Sequence, residues 1–177
     1  MITTGDILGR LHAACAADSA LVACAQRLFG TGAVLTLQLG GDPMHEITAQ
    51  DCPLVGFLQG GKSETGDGSP KWSWPLEIQV VICDERTVVA DSSPAGVSIR
   101  IVSGTVNLDI LTAAVRKACL DALAALGLAC SSVTTEQEPP AAGIWPRQRA
   151  VLSLTVDFEN SLAGDINLPA TEAPDAE

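Results

Sequence analysis

The sequence predicts an α+β fold: a mainly antiparallel sheet of about four to six strands packed against an N-terminal helical segment and one long helix, with long loops and a C-terminal tail. Three observations carry this. Apolar residues recur at helical spacing in two separate places, near the N-terminus and over residues 107–126. Between and after them lie short stretches that alternate apolar and polar, the clearest being Leu152, Leu154, Val156 and Phe158 against Ser153, Thr155, Asp157 and Glu159. The strands come in runs interrupted by helices, without the regular alternation of a parallel α/β sheet.

At the N-terminus, Ile7, Leu8, Leu11, Ala14 and Cys15 form one helical stripe behind the capping candidates Thr3 and Thr4. Asp18 is placed to restart the helix. Leu21, Val22, Ala25, Leu28 and Phe29 continue as a second stripe that Gly30 stops, either as one bent helix or as two. Residues 33–39 put Leu35, Leu37 and Leu39 on one face of a strand, and a second short strand is expected at Leu54–Leu58. The next strand, Leu76–Cys83, sets Leu76, Ile78, Val80 and Ile82 against Glu77 and Gln79, which suits an antiparallel strand with one wetter face. Asp91-Ser92-Ser93-Pro94 marks a turn, and Val97, Ile99 and Ile101 form a strand expected to pair antiparallel with residues 76–83. Asn107 is a candidate N-cap for the best helix, whose stripe of Leu108, Leu111, Val115, Ala118, Cys119, Ala122 and Leu126 ends at Gly127. Arg116, Lys117 and Asp121 take its other side. A strand near Ser132–Glu136 stops at Pro139-Pro140, and the alternating strand ending at Glu159 is the last.

Composition bounds the function. With 177 residues, one domain over residues 1–164 is the expectation, followed by an acidic, Pro-containing tail over 165–177 that holds Asp165, Glu172, Asp175 and Glu177 without a basic partner. Hydrophobic residues are 47% and charged residues only 18%, so the surface must be poor in charge, which suits assembly. The net charge of −11, with ten Lys and Arg scattered along the chain, argues against a nucleic-acid surface. No apolar run reaches the length of a membrane span, and the first twenty residues lack the pattern of a secretory signal. Six cysteines at 15, 24, 52, 83, 119 and 130 show no C-x-x-C pair and no histidine at metal-ligand spacing; they read as reduced, small apolar side chains of an intracellular protein.

One motif invites an enzymatic reading. Gly56–Ser63 fits G-x-x-x-x-G-K-[ST] letter for letter, so that Lys62 would meet phosphates while Ser63 and Asp84, the latter ending an apolar run, would hold magnesium. A phosphate loop needs a helix immediately after the lysine, whose N-terminal amides and dipole face the anion. Here Glu64–Pro75 carries two glycines and two prolines in twelve positions, which leaves no room for such a helix. A glycine-rich loop between strands is the expected structure, and a small nucleotide-binding enzyme is the alternative. The two histidines, His12 and His45, have no companions at catalytic or metal spacing, and there is no G-x-S-x-G elbow. The carboxylate pairs Glu136/Glu138 and Asp157/Glu159 suit solvated strand faces. No catalytic residue, cofactor site or metal site is therefore expected.

The aromatic residues point elsewhere. In a chain with 3% aromatics, the tryptophans sit in or beside loops: Trp72 and Trp74 in Lys71-Trp72-Ser73-Trp74-Pro75, and Trp145 near Arg147 and Arg149. Trp and Arg are enriched at interface hot spots, so Lys71, Trp72, Trp74, Trp145, Arg147 and Arg149 are candidate interface residues; the other reading has Trp72 and Trp74 begin a strand and cap the core. The extended loop 59–75 and the tail 165–177 carry little apolar surface of their own and are expected to be ordered by neighbours.

The element order, the Cys52-Pro53-Leu54-Val55 strand leading into a Gly-Gly loop, and the strand-to-helix segment over 97–126 together resemble the tail-terminator or tail-completion proteins of long-tailed bacteriophages, including the Mu-like relatives. The likeness covers roughly residues 1–160. It implies a virion protein without enzymatic activity, assembled in the bacterial host cytoplasm. As a homo-hexameric ring it would cap the head-proximal end of the tail tube and meet the tube protein and a neck or connector protein, without a membrane or specific nucleic acid as partner. Another head-to-tail connector is a further alternative.

Overall fold

In the computed structural model of the chain, residues 4–41, 46–60, 64–65, 71–84, 86–89, 100–138 and 147–159 are described. Thr3, His45, Lys62, Ser63, Val97, Ile99, Trp145 and the acidic tail over 165–177 lie outside them. The α+β expectation holds. A mixed sheet of five principal strands carries three α-helices on one face.

Helix α1 (Thr4–Ala17) buries Ile7, Leu8, Leu11 and Cys15. The chain then turns by 64° into α2 (Ser19–Phe29), so the two apolar stripes are two helices. Asp18 is the reason for the break. Its carboxylate accepts the backbone N–H groups of Ala20 and Leu21 at 2.8 and 3.1 Å, satisfying donors that a helix start leaves open. Gly30, at φ 110°, ends α2 in a conformation a side chain would strain.

Strand β1 (Thr36–Leu39) pairs parallel with β2 (Leu54–Gln59), and β2 pairs antiparallel with β4 (Lys71–Cys83). Across β4 lies β8 (Arg147–Glu159), and β8 in turn pairs with β7 (Ala129–Gln137), giving the order β1-β2-β4-β8-β7. The parallel first pair requires a crossover, which residues 40–53 provide with one 3-10 turn at Ala49–Asp51. Leu39 is 52% exposed, so the expected apolar face of β1 loses contact with the core at its end.

Three expectations are corrected. The segment 59–75 is not one loop: Glu64–Thr65 forms β3 against Trp72 and Ser73, and Lys71–Pro75 belongs to β4. Gln59 pairs with Leu76 and Glu64 with Ser73, so the ladder is interrupted opposite Trp74 and Pro75. Pro75 has no N–H to give, and the interruption falls where none is needed. Gly60 fits the same spot because a Cβ there would lie 2.9 Å from the Pro75 carbonyl oxygen. Second, Arg100–Val102, the described part of the strand expected from Val97, does not pair with 76–83. Both edges of β4 are taken, by β2 with β3 and by β8; β6 (Arg100–Val102) instead pairs with β5 (Thr87–Val89) in a separate ribbon. Third, the long helix α3 (Ser103–Ala125) begins before Asn107, which lies inside it and not at its cap.

The core lies between the helices and one face of the sheet. Val55, Phe57, Leu76, Ile78, Val80, Ile82, Ala150, Leu152, Leu154 and Val156 meet the α1 stripe, Leu21 and Ala25 of α2, and Leu108, Leu111, Val115, Ala118, Cys119 and Leu123 of α3. The β8 alternation holds from Leu152 through Val156, with Leu154 fully buried. His12 packs edge-on against Phe57, ring centroids 5.6 Å apart, with Nε2 3.4 Å from the Leu37 carbonyl oxygen: a structural role. The opposite face of the sheet is polar along β4 and β8, with Ser73 donating to Asp157 at 2.5 Å and Gln79 to Glu77 at 2.9 Å.

Candidate functional site

Two polar arrangements gather at the end of the sheet where β4 finishes and β8 begins. The first centres on Asp84, whose side chain is only 3% exposed. Its carboxylate accepts from Arg86 Nε and Nη2, both at 2.8 Å, from the Arg86 backbone N–H at 3.1 Å, and from Asn107 Nδ2 at 2.7 Å. These bonds, Arg86 first, hold the carboxyl down to about 2, against the desolvation that burial imposes. Arg86 also donates to the Leu28 carbonyl at the end of α2, at 2.8 Å. The Arg86 carbonyl accepts from the backbone N–H and the hydroxyl of Ser103 at the start of α3. One ion pair thus ties β4, α2 and α3 together.

Beside it, Gln148 of β8 is buried under the first turn of α3. Its Oε1 accepts from Thr105 at 3.3 Å, while its Nε2 has no hydrogen-bond partner and lies against Gly104. A glycine is required there, because a Cβ would also come 2.9 Å from the Asp84 carbonyl oxygen.

The second arrangement brings together Cys52, Cys83 and Arg147 at the same end of the sheet. Cys52 lies just before β2, joined to Pro53 by a cis peptide bond, and Cys83 at the end of β4 pairs with Arg147 of β8. Burial, with Cys83 beside it, pushes the Cys52 thiol up to about 12, and the Arg147 charge acts the other way. Both cysteines line a cleft of about 490 Å³ together with Phe29, Gly32, Pro53, Asp84 and Arg86. The guanidinium of Arg147 reaches the Ile47 carbonyl at 3.3 Å, anchoring the crossover to β8.

Of the candidate interface residues, the described ones, Lys71, Trp72, Trp74, Arg147 and Arg149, fall at two ends of the β4–β8 pair. Lys71, Trp72 and Trp74 lie at the start of β4, where Trp74 faces Val156 and packs half-buried against the core. Arg147 and Arg149 lie at the other end of this strand pair, on the face of the sheet opposite to Trp74. Arg149 is held inside the chain, 3.0 Å from Glu138 and 3.9 Å from Glu77. The phosphate-loop letters fare likewise: Gly56 sits within β2 opposite Gln79, and the described residues that follow Ser63 form a strand. Glu64 is paired with Ser73, nearly the whole length of β4 from Asp84, roughly 35 Å at strand rise. Asp84 is already occupied by Arg86 and Asn107.

Among the described residues, no group of three or more His, Cys, Asp or Glu is arranged to hold a metal ion. No single helix there is long and apolar enough to cross a membrane. The sequence reading missed the cleft shared by Cys52 and Cys83 and the Asp84 ion pair, both of which depend on how distant segments meet. No family model matches the chain, and no match is found among curated proteins.

Proposed function

We propose that this chain is a structural subunit of a phage tail or tail-like particle, of the tail-terminator type. It forms a homo-hexameric ring on the head-proximal end of the tail tube and offers a surface to the neck or connector protein. One observation carries this reading. The helices cover a single face of the sheet, while its two lateral strands, β1 and β7, each pair on one side only among the described residues. These two edges are different surfaces at opposite sides of one domain. Head-to-tail rings are built by joining unlike surfaces of successive copies. Beside the β1 edge, Val34 and Leu39 are 76% and 52% exposed, apolar area that an assembled neighbour would cover. The element order supports the reading in the same direction as the sequence did.

The proposal assigns no reaction to the chain. The test is assembly: light scattering and negative-stain imaging of the purified full chain, alone and with tail-tube ends. Rings, or stable capping of tube ends, are expected. A strict monomer that neither assembles nor binds a tube end would overturn the reading.

A further inference from the structure

We infer that two copies of this chain pair across a two-fold axis through the outer face of α3, with the two helices antiparallel and crossing at Ala113. This contact uses the helix layer and not the lateral strands β1 and β7, so it stands whether or not the chain closes into rings.

The helix is apolar on both sides. Over its 23 residues α3 carries as charged side chains only Asp109, Arg116, Lys117 and Asp121. Its buried stripe, from Leu108 through Val115 to Leu123, faces the sheet. At about 100° per residue, Val106, Ile110, Ala113 and Leu120 fall together on the opposite side. Val106 and Ile110 are 46% and 38% exposed, Ala113 is exposed and Leu120 is half-buried. A helix that is apolar all round is one that is covered all round.

The charges say what covers it. Asp109 and Arg116 are both exposed and lie two turns apart on one flank of this stripe, the flank toward β7, where Gln137 donates to Asp109. In an antiparallel pair centred on Ala113, residues about equally far before and after the centre meet, and like flanks face each other. Val106 then packs on the partner's Leu120, and Ile110 on the methylene stem of the partner's Lys117. Asp109 falls opposite the partner's Arg116, and the two-fold axis makes that ion pair twice. A parallel pair would instead set Asp109 beside the partner's Asp109 and Arg116 beside the partner's Arg116. The alanine at the crossing is the smallest residue of the stripe, which lets the two axes approach to about 8 Å. On the other flank Lys117 is neutralised within its own helix by Asp121 at 2.5 Å.

The test is charge reversal in the full chain, with self-association followed by sedimentation equilibrium and folding checked by circular dichroism. Asp109→Arg alone puts two Arg–Arg contacts into the dimer, and Arg116→Asp alone puts in two Asp–Asp contacts. Each should weaken self-association by about tenfold or more. An equimolar mixture of the two variants restores both ion pairs in the mixed dimer and should associate as the unsubstituted chain does. A contact between α3 and any other surface gains nothing from mixing. Ala113→Cys supplies a measurement that does not depend on the charge variants: the residue meets its own copy on the axis, so mild oxidation should join two chains through that position, seen by peptide mapping. A chain that stays monomeric at high concentration, a mixture no better than either variant alone, or an interchain link through another cysteine in its place would each overturn the proposal. Rings whose assembly neither charge variant alters would overturn this contact and leave the lateral one standing.

Discussion

Asn107 donates its side-chain amide to the buried carboxylate of Asp84 at 2.7 Å, from inside α3 to the end of β4. A residue whose type favours helix starts is used here as a bridge between layers. The same carboxylate takes three bonds from Arg86, so the junction of β4, α2 and α3 depends on its staying ionised.

That dependence has a sign. The Asp84 carboxyl is held at about 2, below the ordinary 3.8, chiefly by the Arg86 hydrogen bonds. Its contribution is complete above the unfolded value and is lost as the pH falls from about 4 through about 2, an effect of roughly 2 kcal/mol. Acid unfolding followed by circular dichroism should show this loss in the parent chain. In Asp84→Asn the chain should be less stable at neutral pH and its stability should change less over the same acid range. Parallel curves for the two would contradict the role given to the ion pair.

Two glycines in helices should respond in opposite directions to the same substitution. Gly9 in α1 has open space where a Cβ would go, so Gly9→Ala should stabilise by about 0.5–1 kcal/mol through helix propensity alone. Gly104 in the first turn of α3 lies against Gln148 and the Asp84 carbonyl, so Gly104→Ala should destabilise by about 1–3 kcal/mol despite that propensity. Urea denaturation of both variants separates propensity from packing.

Local signals explain what was legible. The helical stripes of residues 7–15 and 21–29, the capping aspartate between them and the alternation through Leu152, Leu154 and Val156 each follow from a period or a side chain acting on its own neighbours. Partner choice is not local. Nothing in Thr36–Leu39 announces a parallel neighbour, and the short β5 and β6 do not show that β4 already has both edges filled. The start of α3 was misplaced because Gly104 lowers helix propensity while Asn107 imitates a cap; tertiary contacts to Gln148 and Asp84 decide instead. The polar sites failed for the same reason. Cys52 and Cys83 come to one cleft only once β2 and β4 are paired, and Trp74 and Arg149 separate only when the faces of β4 and β8 are known.

The faces of β8 can be tested by one change. Leu154 is fully buried between Leu76 and Val133, so Leu154→Asp would place an unpaired carboxylate in the core. A loss of several kcal/mol is expected, seen as insolubility or a large drop in melting temperature. Ser153→Asp, on the exposed neighbour that faces the other way, should be tolerated within about 0.5 kcal/mol. Equal behaviour of the two variants would mean that the assigned faces are wrong.

Arg149 distinguishes a residue spent inside the chain from one kept for a partner. It sits between Glu138 at 3.0 Å and Glu77 at 3.9 Å, with all three side chains partly exposed, so water and salt weaken the pairing. Arg149→Leu should lower the stability of the isolated chain by about 0.5–1 kcal/mol, with most of that difference gone at 1 M salt, where screening acts over about 3 Å. Glu138→Gln should produce a similar loss, and the double variant should lose less than the sum, because the two single changes remove the same contact. If instead Arg149→Leu left the isolated chain unchanged and abolished its assembly, the guanidinium would belong to an interface, as its residue type first suggested, and the internal pairing would be incidental.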